Sequence, residues 1–108
     1  MIKEQVEYNR LKELFINIDP SKTKLVDELL MNASFLKVRL DDLKEKIKTY
    51  GAVEISNKGN RRESIFYKTY LATLNTYQGI IKTLNGILGK DAIDEDDEFD
   101  NFLRSVNG

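Results

Sequence analysis

A chain of 108 residues, 41% hydrophobic and 32% charged, supplies the core of one domain. Cysteine and histidine are both absent, which excludes disulfides, zinc sites built on those residues, thiol nucleophiles and imidazole bases. The formal charge of −1 conceals a division: residues 1–90 carry 16 Lys/Arg against 11 Asp/Glu, a net of +5, while residues 91–108 carry Arg104 against seven acids, a net of −6.

That division suits a basic body (1–90) that meets nucleic acid and an acidic tail (91–108) that meets another protein; it equally suits a solvated body with a solubilising tail. Apolar runs reach only three residues, as in Leu14-Phe15-Ile16, too short to span a bilayer. The segment MIKEQVEYNR lacks the apolar stretch of a signal peptide, so a cytoplasmic protein with no membrane partner is expected. No Gly-rich phosphate loop is present, and no cofactor is expected.

In chain order, Ile2 to Ile18 places Tyr8, Leu11, Phe15 and Ile18 on one helical face. Asp19-Pro20 ends that helix and starts the next, Asp as N-cap and Pro at the first helical position. The second helix carries Val26, Leu29, Leu30, Ala33 and Leu36 as its core stripe. Around Lys37 to Arg39 the apolar phase shifts. A third, shorter helix then turns Leu40, Leu43, Ile47 and Tyr50 inward, with Gly51 as its stop. Val53 to Ile55 reads as a short strand and Asn57-Lys58-Gly59-Asn60 as a turn, so a small hairpin or ordered loop is expected at 52–62.

Ser64 reads as the N-cap of the longest helix, about 64–88. There Tyr67, Tyr70, Leu74, Tyr77, Ile81, Leu84 and Leu88 recur at spacings of three and four, the seam of a coiled coil. A rod of 25 residues is about 38 Å long, which argues for companion helices from other subunits. Its other face repeats Ala72, Gly79 and Gly86 beside Thr69, Thr76 and Thr83, with Lys68, Asn75 and Lys82 alongside and no acid from Ser64 to Lys90. Interior glycines cost about 0.5–1 kcal/mol each. Either close approach of another backbone or phosphate contact would offset that cost.

After Gly89-Lys90-Asp91, the tail reads as a small amphipathic helix with Phe99, Phe102, Leu103 and Val106 on one face, either a ligand for a partner's groove or a segment that folds back on its own core. Its acids, Asp94 to Asp100, lack the glycine and terminal glutamate of a calcium loop and read as a solvated helix start. Asp41 and Asp42 diverge on a helix. No catalytic residue and no metal site is expected. The fold class is therefore all-α: a helical bundle with one long coiled-coil-like helix, a short hairpin or loop, and a small C-terminal helix.

From about Ile18 to Lys90 the order of features resembles the short small subunits of phage DNA-packaging terminases. The matching pieces are Lys24-Leu25-Val26-Asp27-Glu28-Leu29, Leu40-Asp41-Asp42-Leu43-Lys44-Glu45-Lys46-Ile47 and Tyr50-Gly51-Ala52-Val53-Glu54. A Gly59-bearing turn, Ser64 opening a long helix, and Tyr77 to Leu84 within it complete the set. The resemblance implies a protein that binds double-stranded viral DNA at the packaging initiation region, assembles as a homo-oligomeric ring and recruits the large ATPase/nuclease subunit, in the cytoplasm of a bacterial host. By position it implies DNA contacts at Lys48, Lys58, Arg61, Arg62 and Lys68, oligomer contacts along the Tyr67–Leu88 seam, and docking of the large subunit by the tail. Two other readings stand beside it: a coiled-coil adaptor or inhibitor without nucleic-acid binding, and a helix-turn-helix regulator. The regulator reading ranks last, because the helix at 40–50 offers alternating lysine and carboxylate where base recognition calls for Arg, Asn or Gln.

Overall fold

Two heptad seams, one on each of two long helices, meet within a single chain. The computed structural model describes residues 3–90 together with Ala92, Ile93, Phe102 and Arg104. Its elements are helix α1 (Lys3–Lys12), helix α2 (Thr23–Tyr50), strands β1 (Val53–Ile55) and β2 (Arg61–Glu63), and helix α3 (Ile65–Leu88). Short 3₁₀ turns at Glu13–Phe15 and Pro20–Lys22 join α1 to α2. The molecule is mostly helical and elongated, 58 × 28 × 19 Å.

On α3 the expected seam is in place: Tyr67, Tyr70, Leu74, Tyr77, Ile81 and Leu84 are buried and Leu88 is partly so. Ser64 caps the helix as expected, its hydroxyl accepting from the Tyr67 N–H at 3.0 Å. Gly89, in the left-handed region at φ 76°, ends it by donating to the Asn85 carbonyl at 2.9 Å.

The break expected at Lys37–Arg39 does not occur. α2 runs unbroken for 28 residues and is longer than α3, at 24. Val26, Leu30, Ala33, Lys37, Leu40, Lys44 and Ile47 follow one another at alternating spacings of four and three, so α2 carries a heptad seam of its own. Two of its positions are lysines, which disguises it in the sequence. Lys44 is only 7% exposed; its aliphatic stem lies in the core while Nζ reaches Asp41 at 3.9 Å. Lys37 Nζ approaches the same carboxylate at 3.7 Å. Nothing in this stretch can end a helix, since it contains neither Gly nor Pro.

Because α2 runs antiparallel to α3 along its length, the long seam is covered inside one chain. This corrects the expectation that the rod must find companions: its apolar side chains already share a core with Val26, Leu30, Ala33, Leu40, Leu43 and Ile47. α1 completes a third side. Leu11 and Phe15 enter the core, and the Tyr8 hydroxyl donates to Asp27 on α2.

α1 ends at Lys12, the chain continuing to Phe15 as a 3₁₀ turn. Asp19 caps the Pro20–Lys22 turn, accepting from the Ser21 N–H at 3.0 Å, rather than α2 itself. Tyr50, expected inward, is 68% exposed beyond the end of the core. Gly79 and Gly86 have no atom within 4 Å of where a β-carbon would stand, so among the described residues no backbone approaches them.

Candidate nucleic-acid interface

The hairpin grows from local chemistry at the end of α2. Gly51 stops the helix with φ 89°, its N–H still bonded to the Ile47 carbonyl at 2.7 Å. The turn closes through Gly59 N–H to the Ser56 carbonyl at 2.9 Å, with Gly59 at φ 83°, a conformation that favours glycine. The strands pair antiparallel: Val53 opposite Glu63, Glu54 opposite Arg62, Ile55 opposite Arg61. An isolated ribbon this short is marginal, and two bonds tie it to the helices. The Ser64 N–H donates to the Ala52 carbonyl at 2.9 Å, and the Ile65 N–H donates to Glu54 Oε1 at 3.3 Å.

All five basic residues singled out by position are exposed and lie at this end of the molecule: Lys48 in the last turn of α2, Lys58 in the turn, Arg61 and Arg62 on β2, Lys68 at the start of α3. They do not form one uniform patch. Adjacent strand residues point to opposite faces, so Arg61 and Arg62 diverge. Arg62 Nε lies 3.2 Å from Glu54 Oε2, and Lys48 Nζ lies 3.6 Å from Glu45. Arg61, Lys58 and Lys68 are exposed and pair with no carboxylate among the described residues, and residues 46–68 hold six basic side chains against Glu54 and Glu63.

Reading by charge missed the apolar side chains among these residues. Val53 is 53% exposed, Ile55 70% and Ile65 61%. Their signal was the alternation Val53-Glu54-Ile55, which on a ribbon puts the two apolar residues on one face. Lys46 was missed too; its Nζ sits 5.5 Å from the centre of the Phe66 ring, itself 5.6 Å from the Tyr50 ring.

The seam residues proposed for oligomer contacts, Tyr67, Tyr70, Leu74, Tyr77, Ile81 and Leu84, face α2 of the same chain and present no surface to a second copy. Of the tail residues expected to dock a partner, Phe102 is buried against the body: its ring centre lies 5.2 Å from that of Tyr70, with Lys44 Nζ 5.7 Å away. This corrects its assignment as a partner contact. The alternative, folding back on the core, describes Phe102 instead. Phe99, Leu103 and Val106 lie outside the described residues, as does the acidic run Asp94 to Asp100.

Among the described residues no group of three or more acids is arranged to hold a metal ion, and no helix is long and apolar enough to cross a membrane. At the other end of the molecule, hydrogen bonds shift three pKa values. Arg10 is raised chiefly by its hydrogen bond to Glu7, Lys12 chiefly by its bond to the Tyr8 hydroxyl, and Asp19 is lowered by the Ser21 N–H. In comparisons with known proteins, no family model, curated protein or solved structure matches this chain.

Proposed function

We propose that this chain is a non-catalytic DNA-binding protein, the small subunit of a phage packaging terminase, gripping viral duplex DNA through its hairpin end and delivering it to the large ATPase/nuclease subunit. The observation that carries this reading is the gathering of Lys48, Lys58, Arg61, Arg62 and Lys68 at one end of the molecule. Each is exposed and mounted on helix ends or a tied-down ribbon, so little ordering cost accompanies contact with phosphate. The acid-free α3, with Lys68 and Lys82 exposed, extends the same polarity along the rod. The resemblance in the order of sequence features names the packaging role.

With the seam occupied internally, a ring in this proposal is built from outer faces. Val6, Met31 and Phe35 are about half exposed on α1 and α2, beside a groove lined by Glu4, Gln5, Tyr8, Met31 and Ser34. The same stripe favours the second reading, a helical adaptor whose partner is a protein alone.

Replacing Arg61 and Arg62 together by Glu tests the proposal. In a mobility-shift assay at 50 mM salt the wild-type chain retains duplex DNA and the double variant does not, while light scattering gives both the same mass. A wild-type chain that retains no DNA leaves the adaptor reading in its place.

A further inference from the structure

We infer that the hairpin is more than a phosphate clamp: its outward face is a two-stranded ribbon that reads base edges in the major groove. This rests on the DNA-binding reading above and names the surface and the groove through which a site is read.

The two faces of the ribbon differ. Glu54 and Arg62 share one face, where the Glu54 carboxylate is taken up by Arg62 and by the Ile65 N–H at the start of α3. The other carries Val53, Ile55, Arg61 and Glu63, all exposed. The register sets Ile55 beside Arg61 near the tip and Val53 beside Glu63 near the helices. Residues two apart on a strand are separated by about 6.8 Å, the rise of about two base pairs of duplex. The face therefore offers two rows, each an apolar side chain with a polar one. Arginine pairs bidentately with guanine O6 and N7, a carboxylate accepts from the cytosine amino group, and an aliphatic group packs on the thymine methyl. A two-stranded ribbon fits the major groove, about 12 Å wide, and Lys58, Lys48 and Lys68 lie around it within reach of flanking phosphates.

Charge selects this occupant over others. The excess of basic side chains across residues 46–68 opposes meeting a second copy of the same end. Glu63, set between apolar side chains, opposes an anionic lipid surface and phosphate alike, yet has a partner at a base edge.

The test uses the full chain and a pool of duplexes with a randomised centre, selected for binding at 150 mM salt. Selected duplexes are expected to be bound at least tenfold tighter than scrambled ones, and to place a guanine about two base pairs from a cytosine. Methyl green, which fills the major groove, should compete; netropsin, in the minor groove, should not. Arg61→Lys keeps the charge, so it should erase about tenfold of the preference while leaving scrambled-duplex affinity and salt dependence unchanged. Glu63→Gln should tighten binding to all duplexes and lower the preference, and Ile55→Ser gives a second reading of the same face. Equal affinity for every duplex, an unaltered preference in Arg61→Lys, or competition by netropsin alone overturns the inference and leaves DNA binding standing. Retention of no duplex, with binding instead to vesicles containing phosphatidylserine, removes both.

Discussion

The Asn85 side chain closes a reciprocal pair of hydrogen bonds with the backbone of Ile93: its amide donates to the Ile93 carbonyl at 3.0 Å and its oxygen accepts from the Ile93 N–H at 3.0 Å. Both residues are buried. A single side chain thus satisfies the two backbone groups that would otherwise enter the core without partners, and it turns the chain back over α3 just beyond the Gly89 stop.

Asn85→Ala should therefore cost about 2–3 kcal/mol, two buried bonds with the unmatched groups left behind. Urea unfolding measures it. Asn85→Asp keeps the acceptor but sets a buried carboxylate oxygen against the Ile93 carbonyl, so at pH 7 it should cost at least as much as Asn85→Ala.

Phe102 anchors the same segment further along, against Tyr70 and under Lys44. Phe102→Ala should destabilise the body by about 3 kcal/mol. An unchanged unfolding midpoint would mean that the tail contributes nothing to the core.

Ile81 is fully buried at the middle of the α3 seam. Ile81→Ala should lower stability by about 2–4 kcal/mol without altering the mass measured by light scattering, because its neighbours belong to the same chain. Loss of a multimer in this variant at concentrations where it remains folded would return the seam to an intermolecular role.

Asp19 accepts from the Ser21 N–H, which lowers its pKa in the folded state. Its stabilising contribution is thus complete above the unfolded value of about 3.9 and disappears as pH falls through the lower folded value. Wild type and Asp19→Ala should differ in stability at pH 7 and converge in strong acid. A difference that grows below pH 4 would contradict the sign.

Much of this architecture was legible because single residues decide it. Ser64 can cap, Gly51 and Gly89 can end helices, and Gly59 can turn a hairpin; each does so by backbone chemistry that needs no distant partner. The continuity of α2 was not legible, because two of its seam positions are lysines and a lysine enters a core only where a neighbour such as Asp41 receives its charge. For the same reason the α3 seam read as an intermolecular contact, because its companion within the chain was hidden in α2. In the hairpin the basic residues could be located from order alone. Which of them points outward depends on pairing register, and register separates Arg61 from Arg62.

The central claim is that the hairpin end engages DNA phosphates, and the salt dependence of binding tests it most directly. Fluorescence anisotropy with a labelled duplex, titrated between 50 and 300 mM salt, should give a log–log slope of about −3 to −4.5 for the wild-type chain, at about 0.9 per phosphate contacted. Lys58→Ala should make that slope shallower by about one. A slope near zero, or one that Lys58→Ala leaves unchanged, would contradict it.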